Sequence, residues 1–347
     1  MQRGWMAALA HQHFVLGDEV AVFEREFAAF CGADHCVGVG NGTDALELSL
    51  RALGIGPGDG VIVPANSFVA TAEAVLRAGA ELILVDVDPD SYLIDTAAVE
   101  AAMGPSVAAV IAVHLFGQMA EVERLDGIAG PVVLEDAAQA HGATRHGRPP
   151  GDVGSLAAWS FYPSKNLGAF GDAGAVTTHD QIVADRVRRM RNHGGESRNT
   201  SDELGWNSRL DTLQAIVLSA KLAHLDDWNR QRAAAARRYD ELLAGVDGVV
   251  PPHTLPGNQH VWHIYVVQVP DRDEVLQVLR SSGIEAAVHY PVPIHRQPAF
   301  RKSGPAGAFP VAEAAARRML SLPIYPGITA DQQERVVTAL RRALGAR

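Results

Sequence analysis

Residues 107–136 read VAAVIAVHLFGQMAEVERLDGIAGPVVLED, and their order decides the fold. Val107–His114 and Val132–Glu135 are strand-length apolar runs rich in valine, and Glu121–Ala129 between them has a helical pattern. Two buried strands joined by a helix-length crossover make a parallel pair. Working outward, the same alternation recurs. Further strands are predicted at Cys36–Val39, Val61–Val63, Leu82–Asp86, Ala157–Phe161 and Ala175–Thr178, and further helices at Asp44–Leu53, Ala70–Ala78 and Thr96–Met103. This is α/β architecture: a mostly parallel seven-stranded sheet between helices, with ligands expected beyond the carboxyl ends of the strands.

After Asp211 the pattern changes. A long helical stretch over Leu213–Leu243 carries Leu213, Ile216, Val217, Leu222 and Leu225 on one side. A proline-rich loop (Pro251–Gly257) follows it. Then come a strand at His263–Val269, a helix at Asp273–Ser281, a strand at Glu285–His289 and helices at Val311–Leu320 and Ala330–Leu344. The expected division is a large α/β domain over 1–240 and a smaller α+β domain over 241–347.

Composition excludes several classes. With 347 residues, 47% hydrophobic and 20% charged, the chain can bury a core and is not disordered. A net charge of −10 argues against nucleic acid, whose binders carry basic stripes. No apolar run reaches a membrane span and Met1–Ala10 lacks a signal pattern, so no membrane partner is expected. Cys31 and Cys36, the only cysteines, give no disulfide framework and fit a reducing cytoplasm. No histidine or cysteine spacing makes a persuasive metal site. Only three of the 30 basic residues are lysines, Lys165, Lys221 and Lys302, so lysine chemistry has three candidates.

Three segments combine into one chemistry. In Val37-Gly-Val-Gly-Asn-Gly42-Thr43-Asp44, glycines follow a strand and open a helix. Backbone N–H groups and the Thr43 hydroxyl can hold an anion there, or Thr43 or Asp44 can simply cap the helix. The strand ending Glu135-Asp136 has two carboxylates that alternation points to opposite faces, so one faces the cleft. Beyond it, His141 reads as a proton shuttle or a structural hydrogen-bonder. Lys165, in Ser160-Phe-Tyr162-Pro-Ser164-Lys165-Asn166, follows a strand among small and aromatic residues, where burial would lower its pKa and make a nucleophilic amine. Pyridoxal phosphate needs an amine for its aldehyde, a carboxylate for its ring nitrogen and donors for its phosphate. Two more segments, Gly205-Trp-Asn207-Ser208-Arg209 and His289-Tyr290-Pro-Val-Pro-Ile-His295, are capping or ligand-binding loops.

These segments resemble the DegT/DnrJ/EryC1/StrS sugar aminotransferases. The matching stretches are Gly-Asn-Gly-Thr-Asp-Ala-Leu, Val-Ile-Val-Pro-Ala-Asn-Ser-Phe-Val-Ala-Thr, Val-His-Leu-Phe-Gly-Gln, Glu-Asp-Ala-Ala-Gln-Ala-His-Gly-Ala, Ser-Phe-Tyr-Pro-Ser-Lys-Asn-Leu-Gly, Arg-Asn-His-Gly and Asn-Ser-Arg-Leu-Asp, in family order over about residues 17–325. The resemblance implies the fold-type I pyridoxal phosphate transferase architecture. It implies Lys165 as Schiff-base lysine and proton shuttle, Asp136 at the ring nitrogen, Gln139 at the ring's phenolic oxygen and Phe68 on the ring face. Gly42, Thr43 and Ser160 would hold the phosphate, joined by Asn207 of a neighbouring subunit in a homodimer with shared sites. Tyr162, His193, Tyr290 and His295 would contact the sugar nucleotide.

The implied reaction moves an amino group from L-glutamate to a nucleotide-linked keto sugar. Lys165, where some relatives carry histidine and dehydrate sugars, implies transamination. The turn, Val-His-Leu-Phe-Gly-Gln and His-Tyr-Pro-Val-Pro-Ile-His look most like enzymes acting at C3 of dTDP-3-keto-6-deoxyhexoses, in aminodeoxysugar biosynthesis. C4 amination, a cyclitol substrate, a lyase or dehydratase and a non-catalytic regulatory homologue stay open. Relatives carry more chain before a stretch like Phe14–Gly17.

Overall fold

The protein is described from a computed structural model, over residues 1–128, 130–195, 200–303 and 307–345. Its strands are β1 (His35–Val39), β2 (Gly60–Pro64), β3 (Glu81–Val85), β4 (Val107–Val113), β5 (Val132–Asp136), β6 (Thr144–Arg145), β7 (Leu156–Ser160), β8 (Gly174–Thr178), β9 (Asn258–Gln259), β10 (Tyr265–Gln268) and β11 (Met319–Leu322). Seven of them form one sheet in the order β1-β8-β7-β5-β4-β2-β3. All seven predicted strands are present, each within one residue of its expected bounds. The β2–β3, β2–β4, β4–β5 and β5–β7 pairs are parallel, whereas β8 runs antiparallel to both β1 and β7. The chain between Ser160 and Gly174 contains no helix to carry it back over the sheet. Instead it doubles back, with Phe161 N donating to Ala173 O at 2.8 Å, and β8 pairs in reverse.

Helices cover the sheet. Helix Asp18–Cys31 places Phe23 and Phe27 in a core with Trp159, Phe161, Leu210 and Leu218. Helices Gly42–Ala52 and Val69–Ala78 contribute Leu46, Leu48, Ala72 and Val75 to the main core with β2 and β4. A third core gathers Tyr239, Leu243, Tyr265, Val267, Leu279, Leu320 and Leu340.

Several elements differ from expectation. The Leu213–Leu243 stretch is two helices, Thr212–Leu222 and Leu225–Leu243. The second runs through residue 240 and gives Ala236, Tyr239 and Leu243 to the C-terminal core. Glu285–His289 forms no strand; it makes one bridge, Ala287 to Ser321, before Pro291 and Pro293. The helix expected over Val311–Leu320 spans Pro310–Arg318, and Met319–Leu322 becomes β11 because it pairs antiparallel with β10. Helix Glu121–Ala129 is seen as Val122–Asp126, and Ala129 lies outside the described residues. Helices Gln2–His11, Asp18–Cys31 and Gln181–Met190 have no counterpart among the predicted ones. No helix among the described residues is long and apolar enough to cross a membrane.

Candidate active site

A cavity of ≈620 Å³ opens beyond the carboxyl ends of the parallel strands. Its wall includes Gly42, Thr43, Phe68, Asp136, Gln139, Ser160, Tyr162, Lys165 and Tyr290, nine of the thirteen predicted site residues. A larger groove of ≈830 Å³ beside Phe30, Pro149, Arg230 and Arg237 contains none of the thirteen.

The anion cradle follows from one cap and one close approach. Asn41 caps helix Gly42–Ala52, its Oδ1 accepting from Asp44 N at 2.8 Å. Gly42, Thr43 and Ser160 line the cavity together, so first-turn N–H groups that the cap does not use can serve an anion there. Gly42 is required by proximity, since a Cβ there would lie 2.6 Å from Ser160 Cβ. Gly174 meets the same constraint from the β8 side, where a Cβ would lie 2.4 Å from Asn41 O.

The two carboxylates at the end of β5 part as alternation requires. Glu135 turns away from the cavity. Its Oε1 accepts from Gly151 N at 2.9 Å and Gly154 N at 3.0 Å, and its Oε2 meets His114 Nε2 at 2.7 Å. His114 Nδ1 accepts from Ala120 N, which leaves the proton on Nε2. Asp136 faces the cavity. Its Oδ2 accepts from Thr71 Oγ1 at 2.8 Å and its Oδ1 from Ala138 N at 3.2 Å. Burial pushes this carboxyl above the usual range, and Thr71, the Ala138 N–H and Lys165 pull it back.

Lys165 sits in the loop between β7 and β8, its own N donating to Tyr162 O at 2.8 Å. Burial brings its pKa down to about 8, against the opposing pull of Asp136. Gln139 Oε1 accepts from Phe116 N at 2.6 Å and its Nε2 donates to Tyr290 OH at 3.0 Å, which aims the amide at the cavity wall. Phe68 and Tyr290 stand with ring centroids 5.6 Å apart, and Phe68 is half exposed to the opening.

The wall also holds residues not named as site residues from the sequence, Ser67, Arg77, Asn41, Asp172 and His263, and it takes His289 from the loop expected to bind a ligand. His263 Nδ1 meets Asn166 Oδ1 at 3.1 Å, and Asn166 Nδ2 donates to Asn229 Oδ1 and Val261 O, both at 2.9 Å. Burial and the nearby Lys165 hold the His263 imidazole well below its ordinary pKa. The strand-end rule does not reach His263, which lies before the amino end of β10. Nothing local marks Ser67, Arg77 or Asp172.

Four predicted residues stand elsewhere. His141, expected as a proton shuttle or hydrogen-bonder, is walled off from the cavity among Phe27, Trp159 and Phe161. Among the described residues neither ring nitrogen has a hydrogen-bond partner; the Ser160 backbone lies near without meeting that geometry. Burial pushes its pKa down to about 3, so the ring stays neutral. His295 turns away from the cavity because Glu313 Oε1 holds its Nε2 at 2.9 Å and Phe309 packs on the ring. The histidine of that loop at the cavity is His289, with Nδ1 2.8 Å from Ser321 Oγ. His193 and Asn207 are exposed on a short ladder outside this chain's cavity, His193 N donating to Trp206 O.

These groups fit pyridoxal 5′-phosphate. The cradle that a Cβ at Gly42 would fill would take the phosphate, the buried Asp136 would take the ring nitrogen and Lys165, its pKa brought down to about 8, would take the aldehyde. Comparison with known proteins agrees. The chain is 47% identical over 94% of its length to the dTDP-3-amino-3,4,6-trideoxy-alpha-D-glucose transaminase of Streptomyces venezuelae, covering 88% of that protein. It is 44% identical over 95% of its length to the UDP-N-acetyl-3-dehydro-alpha-D-glucosamine 3-aminotransferase of Acidithiobacillus ferrooxidans, covering 90% of it. It superposes on the crystal structure of S. venezuelae DesV with a TM-score of 0.96 at 45% identity, covering 98% of this chain and 93% of that one. A Bacillus subtilis relative, NtdA, superposes at 0.93 with 30% identity, over 99% of this chain and 81% of that one, and holds PMP. The profile of the DegT/DnrJ/EryC1/StrS aminotransferase family matches residues 2–341, and with the cavity just described it makes this chain a member of that family, a pyridoxal-phosphate-dependent sugar aminotransferase.

Proposed function

We propose that the chain moves the amino group of L-glutamate to C3 of a dTDP-linked 3-keto-6-deoxyhexose, in the cytoplasm, as a step in making an aminodeoxysugar. One observation carries the choice of carbon: the two relatives above differ in nucleotide and sugar, yet both are named for the 3-position. The cofactor, when bound, supplies an aldehyde and a protonated pyridine ring that withdraws electrons. Asp136 would keep that ring nitrogen protonated, and the first turn of helix Gly42–Ala52 with Ser160 would anchor the phosphate. Phe68 would cover the ring face. Lys165 Nζ accepts the proton from the α-carbon of the amino donor and returns one as the sugar is aminated. Tyr162, Tyr290 and His289 line the opening through which the sugar enters.

The test is a parallel assay of dTDP-3-keto, dTDP-4-keto and UDP-linked 3-keto sugars with glutamate, following 2-oxoglutarate. The dTDP-3-keto sugar turns over fastest under this reading. Faster turnover of the UDP sugar moves the chain toward its second relative, and no 2-oxoglutarate with any acceptor rejects the transfer.

The working unit in this proposal is a homodimer. Asn207 is exposed and absent from its own chain's cavity, as expected of a residue that completes the partner's phosphate site. Lys165→Ala and Asn207→Ala chains, each inactive alone, should regain about a quarter of wild-type activity when refolded together, because half the molecules are mixed and each mixed dimer has one intact site of two. A mixture that stays inactive argues against sharing.

A further inference from the structure

Asp136 is held by a chain of hydroxyls that begins at the cavity wall. Ser67 Oγ lies 2.8 Å from Thr71 Oγ1, and Thr71 Oγ1 lies 2.8 Å from Asp136 Oδ2. All three side chains are buried: Ser67 is 3% exposed, Thr71 0% and Asp136 6%. Both Asp136 oxygens accept, one from Thr71 and one from Ala138 N, and both bonds favour the ionised form against the pull of burial. A hydroxyl has one proton, and Thr71 spends it on Asp136. Thr71 must then accept from Ser67, so the chain has a single polarity, Ser67 O–H to Thr71 O–H to the carboxylate. Each bond polarises the next in a buried, low-dielectric setting.

Local structure supplies the spacing. Phe68 is the N-cap of helix Val69–Ala78, so Ser67 just precedes the helix and Thr71 lies in its first turn. The chain's entry into the helix thus brings the two hydroxyls together. The same turn puts Asp136 at the positive end of the helix, where negative charge is favoured, and places Phe68 over the cavity opening.

We propose that Ser67 and Thr71 are positioning residues, a two-hydroxyl relay that orients Asp136 and keeps it ionised toward the cofactor's ring nitrogen. This rests on the reading of Asp136 as the ring-nitrogen partner. The relay lets a carboxylate stay charged where burial would otherwise neutralise it. It also couples the strength of the electron-withdrawing ring to one helix turn.

The experiment measures cofactor retention on dilution of the holoenzyme and the pH dependence of the bound cofactor's absorbance. The variants are Thr71→Val, Thr71→Ser, Ser67→Ala, Asp136→Asn and the Thr71→Val/Asp136→Asn double. Hydrogen bonds to charged groups set the scale, so Thr71→Val should weaken retention about 10- to 100-fold and shift the absorbance pH midpoint. Thr71→Ser should recover to within about 3-fold and Ser67→Ala should lose about 3-fold. In the Asp136→Asn background, Thr71→Val should cost nothing further, because the relay acts only through that carboxylate. Wild-type retention in Thr71→Val overturns the relay, as does an equal loss in both backgrounds. Wild-type retention in Asp136→Asn overturns the assignment of Asp136 itself.

Discussion

At Lys165, desolvation sets the reactivity. An amine with its pKa brought down to about 8 is about 10% neutral at pH 7, whereas one at 10.5 is about 0.03% neutral. The rate at which the apoprotein takes up pyridoxal phosphate should rise about tenfold per pH unit below 8 and level off above it, as followed by stopped-flow absorbance. A rate still climbing at pH 10 would mean an unperturbed lysine. Lys165 and Asp136 were legible in the sequence because each residue type, at the end of an apolar run, has few other reasons to be there. Thr71 and His263 were not, since their importance comes from contacts with residues far along the chain, Thr71 with Asp136 and His263 with Asn166. His295 illustrates the same limit. Two histidines share one loop, and only packing against Glu313 and Phe309 decides that this one turns inward, away from the cavity.

Among the elements, the junction of helix Gly42–Ala52 with β7 and β8 is the tightest constraint on binding. Gly42→Ala drives a methyl group into Ser160. Relief requires the helix end to lift from the strand, which disperses the phosphate donors. Cofactor retention should fall about 10-fold or more, with a melting temperature lowered by a few degrees, consistent with about 1–3 kcal/mol of overpacking. Unchanged retention would show that the cradle tolerates a wider gap. The strands were legible because parallel strands buried on both faces read as continuous apolar runs, as in β2 and β4. The sense of β8 was not, because no residue within Gly174–Thr178 distinguishes a reversed strand. The clue is the connection before it, which has no helix. Met319–Leu322 failed for a related reason: a short apolar run suits helix and strand alike, and its partner β10 decides.

For the whole molecule, buried neutral histidines govern the acid limit. Burial lowers His141 and His260 to about 3 and takes His263 well below its ordinary value. The unfolded chain protonates these rings near 6.5 while the folded chain does not, so stability is lost as pH falls from about 6.5 toward 3. Each ring contributes up to about 1.4 kcal/mol per pH unit in that window. Asp136, raised by burial, works in the opposite sense as a single group. Urea midpoints should therefore fall steeply below pH 6, and His141→Phe should flatten the slope by about one proton. Midpoints that stay level from pH 7 to 4 would rule this out. The scarcity of lysine has a practical consequence at the same scale. Lys221 Nζ donates to Gly168 O at 2.5 Å and lies 4.6 Å over the Phe170 ring, bracing the loop that carries Lys165. With Lys165 recessed in the cavity, Lys302 is the one exposed lysine side chain among the described residues. Coupling through lysine to an amine-reactive support would then concentrate at Lys302, and molecules attached there would share nearly one orientation.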